Sequence, residues 1–293
     1  MQKSIRKYWP LFVLPTMAAF VIGFIAPFVY GIFLSFCKFS TVTDWKWVGF
    51  KNFSQIIFVH GKLDTTFLHS LWYTALFTVV SMLIINVIAF AIALALTKGI
   101  RGTNFFRTAF FLPNLIGGIV LSYIWLMILN SILANFSRTV VSSQWTAFWS
   151  LILVVCWQQI GYMMIIYIAG LQNVPSDLIE AAKIDGANSR QILKNVTLPI
   201  LAPTITICTF LTLTSAFKQF DVNLALTNGA GSLTFMGQGL TNGTQMLALN
   251  IYNTAIRENN YALGQAEAVL FFIILAAVSI VQVSISNKKE VEM

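Results

Sequence analysis

The sequence predicts an all-α, polytopic membrane protein with six spanning helices, and three observations lead there. Of 293 residues, 57% are hydrophobic and only 10% charged, where a soluble domain carries about 25% charged residues. The apolar residues gather into runs that reach the roughly 20 residues a bilayer crossing takes. The basic residues behind the net charge of +8 sit in short clusters at the ends of those runs, which suits membrane topology better than a nucleic-acid stripe. One polar island, 175–203, interrupts the pattern. It carries Asp177, Glu180, Lys183, Asp185, Arg190 and Lys194, six of the 28 charged side chains (18 Lys and Arg, 10 Asp and Glu).

Lys3, Arg6 and Lys7 precede the first apolar run, 11–36, which Pro15 and Pro27 interrupt. Charge-free sequence continues from Tyr8 to Cys37, too long for the apolar region of a cleaved signal peptide, so a retained first span is expected. A mixed stretch from Lys38 to Thr66 follows, and its Trp45, Trp47, Phe50 and Phe53 suit an amphipathic piece lying at the membrane interface. The second span is expected over 68–96, with His69 at its start as an interfacial residue rather than a ligand. Lys98, Arg101 and Arg107 form a short basic loop before a third span over 108–129, where Pro113 and the Gly117-Gly118 pair lie near the beginning. Glycines there allow close helix packing in lipid. A polar connector, 130–147, bears the single charge Arg138, and a fourth span follows over 148–171. That span contains Trp157, Gln158, Gln159, Gly161 and Tyr162. Polar groups inside a span face other helices or a water-filled path. They therefore either line such a path, as aromatic faces and amides do in sugar sites, or hydrogen-bond between helices.

Within the island, Pro175 fixes a turn and Ser176 or Asp177 is placed to cap a helix, with Glu180 three places after Asp177 as in a capping box. Asp185-Gly186 ends that helix, because Gly takes the left-handed conformation a C-terminal cap needs. Ser189 starts a second short helix that Pro199 stops or bends. Two short helices joined by a turn, outside the membrane, are expected; an ordinary solvated loop is the plain alternative. The fifth span covers 200–220, with Lys218 and Asp221 at its far end, three residues apart and able to pair on one helix face. From Asn223 to Tyr261, repeated Gly, Thr, Asn and Gln mark a loop with short helices rather than a span. The sixth span, 261–285, holds Glu267. A carboxyl at the centre of a span costs about 2.5–3.5 kcal/mol. Its place near the end of the run suggests solvation by the interface; lining a path across the membrane is the other reading. Lys288 and Lys289 begin a short tail.

Cys37, Cys156 and Cys208 are widely spaced in or beside apolar runs, which points to packing rather than to a disulfide or metal framework. No phosphate-binding Gly-x-x-x-x-Gly-Lys-Ser/Thr loop, zinc-ligand pair or His-Asp-Ser set is present, and the only histidines are His60 and His69. The chain shows no active site, so energy for any transport comes from another polypeptide or an ion gradient. Eleven basic residues (Lys3, Arg6, Lys7, Lys98, Arg101, Arg107, Lys183, Arg190, Lys194, Lys288 and Lys289) fall on the side of the island and both termini. Six fall on the other side, over much longer sequence, which puts the island and the termini in the cytoplasm.

The island reads E-A-A-K-I-D-G-A followed by L-P-I-L-A-P, and this resembles the cytoplasmic coupling motif of bacterial ABC importer permeases, the carbohydrate-uptake branch in particular. Glu180, Ala181, Ala182, Asp185, Gly186, Ala187, Leu198 and Pro199 match the motif, while Leu193 stands where the family often has Phe. W-V-G-F-K-N-F at 47–53 and F-D-V-N-L-A-L-T-N-G-A-G at 220–231 resemble further family segments, Ala230-Gly231 replacing the expected tail of the second. The resemblance implies one permease domain over 1–293 with a coupling helix that docks on a separate ATPase subunit. In that setting Glu180 holds the helix start or meets a basic group of the partner, Gly186 permits the turn, and Ala181 and Ala182 allow close approach. It further implies a second, related permease, two ATPase subunits that use ATP and Mg, an extracytoplasmic solute-binding protein, and no cofactor on this chain. The implied cargo is an oligosaccharide or a related polyol or glycerophosphate, and the candidate path residues are Trp157, Gln158, Tyr162, Lys218, Asp221 and Glu267. An ion-coupled secondary transporter is the main alternative, although no half-chain repeat or midplane charge supports it. A membrane scaffold without a path is a second.

Overall fold

The computed structural model describes residues 13–59 and 62–287. Lys3, Arg6, Lys7, the start of the first span at Leu11, His60, Lys288 and Lys289 lie outside the described residues. The chain divides into two compact units, one holding the described residues up to Asp64 with Ile251–Phe272, the other Thr65–Asn250 with the chain from Ile273.

In the first unit, α1 (Val13–Ser35) is a long apolar helix that Pro27 does not break. A π-helical turn over Val21–Ile25 comes just before the proline. Proline lacks an N–H and its ring crowds the carbonyl four residues back, and the wider turn relieves that crowding. The expected interfacial piece proves to be partly a ribbon: β1 (Cys37–Thr41) pairs antiparallel with β2 (Asp44–Trp47), and α2 (Lys51–Ile57) follows. Its aromatic residues pack on one another rather than lying separately, with the Phe36 ring 5.6, 5.3 and 5.2 Å from those of Trp47, Phe50 and Phe53. Buried Asn52 donates to the carbonyls of Ser35 and Cys37 at 2.8 and 2.9 Å, which ties α2 to the end of α1. Cys37 is enclosed, and burial pushes its thiol up, in keeping with a packing role. β3 (Phe58–Val59) and β4 (Lys62–Leu63) form a second short ribbon.

The second unit is built on α3 (Thr66–Leu96), α6 (Gln144–Gln172) and α9 (Ala202–Phe217). α3 and α6 run parallel. The ring of Phe148 meets Tyr73 and Phe77 near the beginnings of both helices, and Phe90 meets Tyr167 near their ends. α9 runs antiparallel to α6, with Thr204 against Gly170 and Ser215 near Gln159. Between the three helices Tyr167 donates to Asn86 Oδ1 at 2.7 Å, and Asn86 Nδ2 donates to Thr212 Oγ1 at 2.8 Å. Asn86 thereby ties α3 to both α6 and α9, giving these polar groups partners on other helices, as a lipid-embedded core favours.

Two expected spans are not straight. The third is a bent pair, α4 (Thr103–Leu115) and α5 (Gly118–Ala134), turned by 99°. Ile116 and Gly117 lie between them with ψ of 130° and 134°, extended geometry that no helix can carry through. The fifth is also a bent pair, α8 (Ser189–Ile200) and α9, turned by 70°. Among the described residues, four helices are long and apolar enough to cross a membrane, or up to six if each bent pair is one span. The four are α1, α3, α6 and α12 (Tyr261–Asn287). α9 ends at Phe217 rather than continuing to 220, and α10 (Asp221–Leu226) begins a separate helix.

Beyond α10 the Gly-, Thr- and Asn-rich stretch is loop, as its composition predicts, with a hairpin of β5 (Leu233–Phe235) and β6 (Gln238–Leu240) and the short α11 (Leu247–Tyr252). Asn223, fully buried, organises it: its amide donates to Thr244 O at 2.8 Å and its oxygen accepts from Met246 N–H at 2.9 Å. Gly229, at φ +73° and close to Gln245, occupies a turn that a side chain would strain and crowd. Leu247 N–H donates to Thr74 Oγ1, and Gln144 Nε2 to Gly243 O, so this loop covers the end of the bundle where α3 and α6 begin. His69, also at that end, is buried, stacked on Tyr73 and edge-on to Phe235, a packed core group rather than an interfacial one.

Candidate functional site

A cavity of about 580 Å³ lies among α4, α5, α6, α9 and α10. It falls within the range of about 300–1,000 Å³ that ligand pockets take. Most of its walls are hydrogen-bonding: Asn114, Gln158, Gln159, Tyr162, Thr214 and Ser215, with Lys218 and Asp221 at one side. The bend between α4 and α5 creates part of it. Because Ile116 leaves the helical path, its carbonyl has no helical partner, and Gln158 Nε2 donates to it at 3.1 Å. Irregular backbone at membrane depth persists only where protein or a water-filled cavity satisfies it, and here the Gln158 side chain does so. Gln158 thus serves both readings of the sequence: it bonds between elements and lines the cavity. Gln159 likewise reaches Ser215 at 3.4 Å, a long bond, from the cavity wall.

Close backbone approach holds these elements in place. A Cβ on Gly161 would overlap the carbonyl of Phe110, so only glycine lets α4 lie this close to α6. Gly118 plays the same part towards Asp221, whose Cβ stands 3.0 Å from where a Cβ would be built. Gly117 makes no such contact, so only one residue of the expected glycine pair serves packing.

Of the predicted path residues, the cavity brings together Gln158, Tyr162, Lys218 and Asp221. Two others lie elsewhere. Trp157 projects from an exposed face of α6, edge-on to Trp125 at 5.3 Å, because neighbours in a helix point about 100° apart. Glu267 belongs to the other unit, on α12, where it is 4% exposed and accepts a 3.4 Å bond from Thr254 Oγ1. The carboxyl is thus buried within its unit, with a hydroxyl beside it, rather than open at the end of the run. Lys218 and Asp221 do not pair on one helix, since Lys218 caps α9 and Asp221 opens α10; both side chains are exposed. Asn114, Thr214 and Ser215 were not singled out from the sequence. The signal was present in the run T-I-T-I-C-T-F-L-T-L-T-S at 204–215, whose hydroxyls recur at helical spacing.

At the other end of α6 and α9 lies the polar island. α7 (Ser176–Ile184) has no buried residue, and Leu178 and Ile184 stand 45% and 87% exposed. Glu180 and Ala181 are exposed on it, and Ala182 is half-buried. The expected capping by Ser176 or Asp177 is absent: Pro175 is the N-cap, and both residues already lie within the first turn. The predicted stop is present. Gly186 has φ +80°, its N–H reaches Lys183 O, and Ala187 N–H reaches Ala182 O, the double bond of a Schellman ending after Asp185. α8 then starts at an unforeseen capping box, Asn188 and Gln191 exchanging side-chain bonds with each other's N–H at 2.8 and 3.0 Å. α8 runs one residue past Pro199 to Ile200 and the chain then turns by 70° into α9, so the proline marks a bend rather than a stop. A π-helical turn over Leu193–Thr197 precedes it, the same device used before Pro27, and Leu193, Leu198 and Pro199 are half-buried along it.

Residues 88–290 match the family described as binding-protein-dependent transport system inner membrane component. The probable starch degradation products transport system permease protein AmyD of Thermoanaerobacterium thermosulfurigenes is 42% identical over 294 residues, covering 98% of this chain and 96% of that protein. The multiple sugar-binding transport system permease protein MsmF of Streptococcus mutans is 31% identical over 309 residues, covering 99% of both. A chain in the crystal structure of a bacterial ABC transporter involved in the import of the acidic polysaccharide alginate superposes with a TM-score of 0.78 at 18% identity, covering 98% of each chain. That likeness is one of fold, the type I ABC importer permease fold, with few strands among its helices. These matches favour the importer reading over the ion-coupled alternative. With its apolar helices, its bent fifth span and the exposed α7, the chain belongs to the family of inner membrane components of binding-protein-dependent transport systems.

Proposed function

We propose that this chain is a transmembrane subunit of an ATP-driven importer and forms, with a second and related permease, the path for a carbohydrate, an oligosaccharide or a related polyol or glycerophosphate. The observation that carries the proposal is the cavity walled by Gln158, Gln159, Tyr162, Thr214 and Ser215 inside a membrane bundle. Amides and hydroxyls offer both donors and acceptors, which matches a polyol better than an apolar cargo. The sugar-transport names of AmyD and MsmF agree with that chemistry.

In this reading the chain is non-catalytic and binds no cofactor. Two cytoplasmic ATPase subunits hydrolyse ATP with Mg, a solute-binding protein delivers the sugar from outside, and both termini of this chain lie in the cytoplasm with α7. A single permease domain over 1–293 docks on the ATPase through α7, with Glu180 anchoring or ion-pairing at the contact and Ala181 and Ala182 admitting a close neighbour. Connectivity supports the coupling role. α6 enters α7 and α9 leaves α8, and both α6 and α9 line the cavity, through Gln158 and Tyr162 on one side and Thr214 and Ser215 on the other. A rigid-body shift of α7 therefore acts on two cavity walls at once.

The test is purification from native membranes in mild detergent with ATP and vanadate, followed by mass spectrometry and by uptake of labelled oligosaccharides in proteoliposomes. A P-loop ATPase and a second permease are expected, with ATP-dependent uptake. Recovery of this chain alone would count against the assembly, and uptake abolished by an uncoupler at constant ATP would count against the energy source.

A further inference from the structure

The connection from α3 to α4 carries Lys98, Arg101 and Arg107, and no carboxylate among the described residues forms an ion pair with them. No Asp or Glu occurs anywhere between Asp64 and Asp177, and no ion pair joins these three to any described residue. Lys98 and Arg101 are exposed. Arg107 sits half-buried in the second turn of α4, its Nε enclosed and without a hydrogen-bond partner. Beside the charges stand apolar groups that water does not favour: Phe105 is 71% exposed, Phe106 40% and Ile100 47%. Gly99 and Gly102, at φ +76° and +81°, fold the connection into a tight reversal that keeps charges and rings together. Since α3 and α6 run parallel, this reversal lies at the same end of the bundle as the start of α7.

We propose that Lys98, Arg101 and Arg107, with Phe105 and Phe106, form a site for the headgroup of an anionic phospholipid. A cation in or beside a span needs a counter-charge, and basic residues at a helix end attract anionic lipid. The phosphodiester supplies the missing anion, and its acyl chains supply the apolar neighbour that the phenyl rings lack. A free phosphate offers the first and not the second. The site is independent of the sugar path and does not rest on the importer reading.

The test is native mass spectrometry of the full chain, purified with whatever subunits accompany it, delipidated and titrated with phosphatidylglycerol or phosphatidylcholine. Phosphatidylglycerol is expected to bind the more tightly. Arg101→Gln and Arg107→Gln should each weaken it about fivefold, the worth of one charge near a membrane surface, without changing phosphatidylcholine adducts. Arg101 is exposed, so its variant reads binding even if Arg107→Gln misfolds, and Arg107→Lys should restore part of the affinity. Equal binding of the two lipids, or phosphatidylglycerol binding unchanged in Arg101→Gln, would overturn the proposal. So would displacement of the lipid by millimolar inorganic phosphate, which would make this a small-anion site. Loss of an accompanying subunit with lipid adducts intact would overturn it too, and assign the patch to a protein partner.

Discussion

The two bent spans both turn sharply, by 99° and 70°, and do opposite things to the backbone. At the 70° bend between α8 and α9, Leu201 stays in helical geometry. Its N–H reaches Thr197 O at 3.0 Å and its carbonyl accepts from Ile205 N–H at 2.9 Å. At the 99° bend between α4 and α5, Ile116 and Gly117 leave the helical region altogether, and a side chain from another helix must satisfy the Ile116 carbonyl. The first bend keeps both backbone hydrogen bonds of Leu201, although Pro199 and Pro203 on either side have no N–H to donate, and so the helical path carries on from α8 into α9. The second opens the ladder and makes a wall, with Asn114 and Gly118 on either side of the break both facing the cavity. Continuity suits a lever, and interruption suits a binding surface.

The comparison yields graded expectations. The largest effect belongs to Gly161→Val, since the obstacle is the Phe110 backbone, which cannot swing aside. A loss of about 3 kcal/mol or more is expected, read as a collapse of the monodisperse peak in detergent; a normal peak would show that α4 does not need its close seat on α6. Next comes Gln158→Leu, which strands the Ile116 carbonyl at a cost of about 1–3 kcal/mol. Thermal unfolding in detergent and uptake should both fall, whereas a fall in uptake alone would mean that Gln158 serves the cargo and not the bend.

Gly186→Ala tests the lever side. Nothing lies within 4 Å of the added Cβ, so any effect comes from the φ of +80°, worth about 1–2 kcal/mol. ATPase activity should persist while uptake falls; uptake equal to the parent would separate the α7 ending from coupling. The smallest effect is expected from Asn188→Ala, which removes one half of the α8 capping box at about 1 kcal/mol. Faster amide exchange confined to the start of α8 would register it, and faster exchange at Ile116 instead would mean the two bends are not independent.

The spans were legible because each is a local matter of length and hydropathy, and 68–96, 148–171 and 261–285 fall within a few residues of α3, α6 and α12. The stop at Gly186 was legible for a similar reason, as a left-handed ending announces itself in one residue. The failures were failures of direction. Ser176 and Asp177 have the right chemistry for a cap, yet Pro175 takes that position and Asn188 does the capping one helix later. Trp157 and Gln158 are adjacent in sequence and part company in space, one to the outer face and one to the cavity.

What the sequence determined by itself was therefore the membrane class, the number of apolar segments, the polar island between two of them and the kind of polar groups carried within the spans, since all of these depend on composition and near-neighbour order. Tertiary structure alone decided which of those groups share a cavity. Gln158, Asn114, Thr214 and Asp221 come from four helices, and they meet because Gly161 and Gly118 let backbones touch and because the chain breaks at Ile116–Gly117. A helix records its own period in sequence, but the distance to its neighbour is set by atoms from a different segment.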